Sequence, residues 1–201
     1  MKGKLIVIEG IDGAGTEAQS KLVLDFLKER GTPCERVCYP DYGEPVGRLL
    51  HEYLHRKFEL SNETLVLLHL ADRVKDRERM TRWLEEGKTV IADRYVTSTI
   101  AYQGFAGFPV DNIISIADMF AMPRPDAVVY LRVSAETSME RKRKEKQDNV
   151  DRNEENRGLM ENMSGYYEKL AKENVYAKWV IVDGEKSKQQ VLESIVKVLD
   201  L

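Results

Sequence analysis

The sequence predicts a three-layer α/β fold with a five-stranded parallel sheet flanked by helices. Three observations carry that expectation. Five apolar runs of strand length recur along the 201 residues, each followed by a stretch with helical periodicity, and this alternation is what a parallel sheet with crossover helices requires. Four of the runs are nearly continuous in Val, Ile and Leu, as strands covered on both faces must be. A glycine-rich loop lies directly between the first run and the first helical pattern.

Taken in order, the strands are expected over Leu5 to Ile8, Pro33 to Tyr39, Thr89 to Ala92, Ala127 to Val133 and Trp179 to Val182, with all but the second forming the buried centre of the sheet. The longest helical stretch, Asn62 to Gly87, follows a Ser61-Asn62 cap candidate and ends at a glycine. Leu65, Leu68, Ala71 and Val74 recur along it at helical spacing, so one helix is expected to cross the molecule beside the sheet. From Arg141 to Arg157 the chain reads RKRKEKQDNVDRNEENR, with a single apolar residue, and burial cannot hold such a segment in place. Its position before the last helix-strand-helix unit marks it as a mobile, phosphate-seeking lid. No linker composition interrupts the chain, and residues 1–201 read as one domain with the lid at about 141–157.

Composition narrows the class. A formal net charge of -3 with 32% charged residues excludes the strongly basic balance of a dedicated nucleic-acid binder, so phosphate binding must come from placed groups. The apolar runs fall far short of the roughly 20 residues that span a bilayer, no signal-peptide pattern is visible, and a cytoplasmic protein without a membrane partner is expected. Cys34 and Cys38 are four apart in one strand, hence roughly 13 Å apart, and cannot form a disulfide with each other.

Gly10-Ile11-Asp12-Gly13-Ala14-Gly15 stands where a phosphate-binding loop stands, after a strand and before a helix. Glycines there let backbone N–H groups turn inward around an anion, and the helix N-terminus adds positive potential. The pattern G-x-x-x-x-G-K-[ST] then wants a lysine and a hydroxyl, whereas this chain has Thr16 and Glu17. Half of the motif is missing, and the loop alone fits a capped glycine turn equally well.

Residues 93–104, DRYVTSTIAYQG, begin at the end of the third expected strand and resemble the signature of the thymidylate kinase family. It is joined, in the family's order, by IEGIDGAG at 8–15, YPDYGEPVG at 39–47, LADR at 70–73 and a lid containing Asp151-Arg152, so the resemblance spans the chain. It implies a P-loop kinase that transfers the γ-phosphate of ATP to dTMP with Mg2+, and a homodimer through the long helices. An alternative is a nucleotide-binding protein of the same fold with weak or lost transfer; another is a kinase of a different pyrimidine monophosphate. By the same resemblance, residues 10–17 hold the donor phosphates, Arg94 grips the acceptor's α-phosphate, and Asp12 accepts a hydrogen bond from the sugar 3′-hydroxyl. Arg73 reads the base edge, and Tyr39, Ser98, Tyr102 and Gln103 close the acceptor pocket. His69 stands where the family stacks a phenylalanine on the base. Asp93 and Glu17 are the candidate magnesium ligands, carboxylates being suited to that ion. Tyr42 replaces an arginine directed at the acceptor phosphate in some members, which leaves Arg48 or another group to supply the charge. The lid cations Arg141, Lys142, Arg143 and Arg152 are the candidates to replace the missing loop lysine, and the three arginines among them are assigned catalytic roles.

His51-Glu52-Tyr53-Leu54-His55 matches the zinc-protease pattern H-E-x-x-H. The third ligand is missing: the remaining histidine, His69, is already placed elsewhere. A solvated helix face is therefore expected.

Overall fold

The structure, a computed structural model, describes residues 2–145 and 157–201. Five strands, β1 (Leu5–Glu9), β2 (Cys34–Cys38), β3 (Thr89–Asp93), β4 (Ala127–Arg132) and β5 (Trp179–Asp183), form one parallel sheet in the order β2-β3-β1-β4-β5. The helices are α1 (Thr16–Glu29), α2 (Pro45–Leu54), α3 (Asn62–Val74), α4 (Arg77–Glu85), α5 (Val96–Phe105), α6 (Val110–Met119), α7 (Ala135–Glu145), α8 (Arg157–Lys172) and α9 (Lys188–Leu199).

All residues of β1 and β3 and the first five of β4 are buried, which is why these segments read as unbroken aliphatic runs. β5 departs from expectation. It is an edge strand, and Ile181 is 38% exposed. An apolar run reports a strand without reporting how many of its faces are covered.

The expected helix from Asn62 to Gly87 is two helices. Ser61 caps α3 as the sequence suggests, its side chain accepting a hydrogen bond from the Thr64 backbone N–H. The path breaks at Lys75 and Asp76, where no glycine or proline stands. At the break the Asp76 carboxylate accepts from the distant Tyr39 hydroxyl and, within its own segment, from Lys75 Nζ and Arg79 Nη2, while Asp72 one turn earlier accepts from the Asp41 N–H.

The sheet order places β1 between β3 and β4, with chain connections leaving to opposite sides. Registers Ile8↔Asp93 and Cys38↔Asp93 bring the carboxyl ends of β1, β2 and β3 level. Ligands of open parallel sheets bind in that crevice.

Candidate active site

Gly15 has φ of 91°, in the left-handed region, and α1 begins at the next residue with no side chain capping it. The N–H groups of its first turn are therefore open to an anion. Gly13 has φ of 79°, and a Cβ there would lie 2.6 Å from the Ser138 carbonyl oxygen, so only glycine lets α7 approach the loop so closely. Across that approach the Ser138 hydroxyl donates to the Asp12 carbonyl, and the Ala14 N–H closes the loop on the Ile11 carbonyl at 3.0 Å.

A cavity of about 640 Å3 opens over the loop, bordered by Asp12, Gly13, Gly15, Thr16 and Glu17. Tyr39, Asp93 and Arg94 at the strand ends also border it, with Lys21, Lys142 and, where a solvated face was expected, His51 and His55. Thr16 is buried and neutral. The Glu17 carboxylate accepts from Lys21 Nζ at 2.6 Å, a bond that holds it below the usual carboxylate range. Asp93 is paired with Arg36 Nη2 at 2.8 Å, and Arg36 Nε donates to Ser20 Oγ at 2.9 Å. Arg36 stands on β2, beside β3, and its charge is matched by Asp93.

Arg94 follows β3 with φ of 64°, unusual for a residue with a side chain. Its guanidinium donates to the Gly10 carbonyl at 3.0 Å and to Asp12 Oδ1 at 2.5 Å, and lies over the Tyr102 ring at 5.6 Å from the centroid. Burial opposes its charge, but the Tyr102, Asp12, Tyr167 and Glu9 oxygens outweigh burial and keep it firmly protonated.

Asp12 and Arg94 also border a second cavity of about 210 Å3, lined by His69, Arg73, Ser98, Tyr102 and Gln103. Among the described residues, His69 Nδ1, Arg73 Nε and Gln103 Oε1 are buried without a hydrogen-bond partner. Buried polar atoms are normally satisfied, and three in one pocket wall mark a place for a polar ligand. Arg73 is oriented by donating from Nη1 to the His69 carbonyl, with its guanidinium 5.4 Å from the Tyr39 ring centroid. Burial, reinforced by Arg73 and Arg94, pushes the His69 imidazole down to about 3, so it is neutral at physiological pH. The Ser98 hydroxyl proton is already committed to Glu9.

Glu9 was not singled out by the sequence, although it lies within the glycine-loop motif. It is fully buried and accepts from the Tyr95 N–H and from the hydroxyls of Thr97, Ser98 and Tyr167, joining β1, α5 and α8 beneath the site. Arg36 was missed as well. A basic residue in a short strand, followed by a buried Val37, was the available signal.

The lid assignments meet the structure unevenly. Arg141 spends its guanidinium on two backbone carbonyls, those of Ala14 at 3.3 Å and Gly184 at 2.8 Å. Arg143 is exposed on α7, Arg152 lies outside the described residues, and among the described lid cations Lys142 borders the loop cavity. Arg48 donates to the Gly43 carbonyl at 2.6 Å and borders neither cavity. His51 and His55 stack at 4.0 Å between centroids beside Tyr42, and among the described residues no three His, Cys, Asp or Glu side chains are grouped to hold a metal. Cys38 touches Asp93 at 3.6 Å, its thiol pushed up to about 12 by burial and by that carboxylate.

A glycine loop opening a helix at the switch point of a parallel sheet, with a second polar pocket sharing one arginine and one carboxylate, defines a nucleotide phosphotransferase of the P-loop class. The thymidylate kinase family model matches residues 8–195. The thymidylate kinase of Fervidobacterium nodosum is 33% identical over 198 residues, covering 97% of this chain and 98% of that protein. That of Caldicellulosiruptor saccharolyticus is 32% identical, covering 100% and 97%. The solved structure of the Candida albicans thymidylate kinase superposes with a TM-score of 0.77 at 24% identity, over 99% of this chain and 92% of that one, a likeness in fold. The chain belongs to the thymidylate kinase family.

Proposed function

We propose that this protein transfers the γ-phosphate of ATP to dTMP, giving ADP and dTDP, with residues 10–17 holding the donor and the 210 Å3 pocket holding the acceptor. The observation that carries this is the sharing of Asp12 and Arg94 by both cavities. Phosphoryl transfer demands little covalent chemistry from a protein; it demands two anions brought into line and their charge neutralised. Arg94, at the junction, suits the acceptor's phosphate, since a planar guanidinium offers paired donors to phosphate oxygens. Asp12 beside it suits the sugar 3′-hydroxyl.

The unpaired Gln103 Oε1 can accept from a pyrimidine N–H, and Arg73 Nε can donate to a ring carbonyl. His69, held neutral, can stack on the base without adding a charge that thymine could not answer. Tyr42, Tyr53 and Tyr102 supply the aromatic walls, Tyr39 bordering the loop cavity instead, and Ser98 tethers its helix to Glu9.

Glu17 and Asp93 fit a magnesium ion: both are carboxylates on the loop cavity, and magnesium is usually held by one or two carboxylates with phosphate and water completing the shell. Bound there, the ion would neutralise charge on the donor phosphates. Lys21 and Arg36 pair with these carboxylates and hold them in position. We further assign the protein to the cytoplasm as one domain, and to a homodimer through α3, whose Leu67 is 59% exposed. Among the described residues no helix is long and apolar enough to cross a membrane.

The test is ADP release over a panel of dTMP, dUMP, dCMP, AMP and GMP with magnesium and ATP. dTMP should give the highest kcat/KM; preference for a purine, or tight binding of ATP and dTMP without transfer, would sink the proposal.

A further inference from the structure

We propose that His55, at the C-terminal end of α2, is a phosphate contact that works only in its protonated form, so that nucleotide binding draws a proton onto this ring; the inference rests on reading the 640 Å3 cavity as the place where phosphates bind. His51 and His55 both border that cavity, together with Tyr42, which also lines the acceptor pocket. The three rings form a row: Tyr42 meets His51 edge-on at 5.0 Å between centroids, and His51 stacks on His55 at 4.0 Å. His55 Nδ1 lies 2.8 Å from the His51 carbonyl oxygen, which also accepts the His55 backbone N–H at 3.0 Å. A carbonyl can only accept, so Nδ1 carries a proton and Nε2 is the nitrogen left for the cavity. In a neutral ring that nitrogen presents a lone pair, which repels a phosphate oxygen. A second proton turns it into a charged donor, the form that binds phosphate.

The surroundings favour that second proton once an anion arrives. The ring caps the last turn of α2, where the carbonyls and the helix dipole favour a cation. The carboxylates around the cavity are each matched by a cation: Glu17 of α1 is bonded to Lys21, Asp93 of β3 to Arg36, and Asp12 of the loop to Arg94. Asp41 before α2 and Asp72 of α3 share Lys75. On its own segment Glu52 pairs with Lys57, Arg48 turns to the Gly43 carbonyl, and Arg56 is the next residue. Lys142 borders the cavity from α7, and Arg73 borders the adjoining pocket from α3 beside the neutral His69; both oppose a proton on His55 before an anion arrives. A phosphate group brings about two negative charges into this balance at neutral pH and reverses it.

The experiment is calorimetric binding of dTMP and, separately, of inorganic tripolyphosphate to the full-length protein between about pH 6 and pH 8, a range in which histidine exchanges its proton. The ligand that shows the effect identifies whether the acceptor's phosphate or the donor's is met. Wild type is compared with His55→Gln, His55→Lys and His51→Phe; the ligands' own titration is common to all and cancels. Relative to His55→Gln, wild type should gain about four-fold in affinity for at least one ligand on going from the upper to the lower pH, as expected for an imidazole that an anion keeps protonated to somewhat higher pH. Near pH 7 that binding should take up about 0.4 proton more than in His55→Gln, read from the dependence of the binding enthalpy on buffer. His51→Phe keeps the stacking ring and the carbonyl and should retain the linkage. His55→Lys, charged throughout the range, should match or exceed wild-type affinity at the upper pH and change little below it; it also serves as the reference should His55→Gln unfold. Identical pH dependence in wild type and the His55 variants with both ligands overturns the inference, as does loss of the linkage in His51→Phe at an unchanged melting temperature, which would put the proton on His51. Wild type that binds neither ligand overturns this inference and the phosphate reading of the cavity together, whereas His55-specific linkage without dTMP turnover would overturn the kinase reading and leave this one standing.

Discussion

A partly buried imidazole set among arginines keeps its place only without a proton, and His69 therefore carries a pH signature. Its folded-state value of about 3 lies below the ordinary 6.5, so the unfolded chain binds the proton more readily. The stability gained from keeping it neutral is fully present above pH 6.5 and is lost as pH falls from there toward 3, at up to about 1.4 kcal/mol per pH unit. His69→Phe should remove that loss: its stability relative to wild type should rise by about 1–2 kcal/mol between pH 7.5 and 5, read from urea midpoints. A difference that does not change with pH would mean the ring protonates freely in the folded protein. Arg94 makes the complementary case, a charge held because oxygens surround it. Arg94→Ala leaves Asp12 without its partner at the junction of the cavities. Turnover and dTMP affinity should together fall by about 3 kcal/mol while ATP affinity changes little. Equal losses for both nucleotides in calorimetry would remove Arg94 from the acceptor side. These residues were legible in the sequence because fixed motifs carry them. Arg36 was not: its partner Asp93 is 57 residues away, and only the β2–β3 register brings them together.

Elements were legible to the extent that local pattern decides them. All five strands were found within a residue or two at either end, because continuous aliphatic runs flanked by turns leave few alternatives. The break between α3 and α4 was not legible, since Lys75-Asp76 is acceptable helix sequence and Asp76 meets its distant partner, the Tyr39 hydroxyl, only in the assembled fold. The same holds for Glu9, whose role exists only once β1, α5 and α8 are assembled. It satisfies one backbone N–H and three hydroxyls in the core, and removing it leaves those donors buried beside an empty space. Glu9→Ala should cost about 3 kcal/mol of unfolding free energy, with Glu9→Gln intermediate because an amide offers one accepting oxygen in place of two. Equilibrium urea unfolding with an unchanged m-value checks this; a cost below about 1 kcal/mol would show that the hydroxyls find other partners.

At the scale of the whole molecule, the fold works by presenting two faces of one helix to two tasks. α3 buries Leu65, Val66 and Leu70 and turns His69 and Arg73 toward the acceptor pocket, while Leu67 is 59% exposed and Ala71, one turn on, is exposed as well. A large apolar residue followed by a small one at i+4 allows a second helix to approach closely, and a two-fold interface would set each α3 against its copy. In that assembly the helix carrying the base-reading side chains is held from both sides, so association and acceptor recognition are coupled. Leu67→Asp places a charge at the centre of the proposed contact and should convert a dimer to a monomer in sedimentation velocity at micromolar concentration. Because His69 and Arg73 share that helix, KM for dTMP should rise about three- to ten-fold in the monomer while KM for ATP, set by α1 and its loop, stays constant. Wild type should show the same rise in KM on dilution below its dissociation constant. A wild-type monomer at these concentrations would remove the interface, and a Leu67→Asp monomer with unchanged KM for dTMP would separate assembly from recognition.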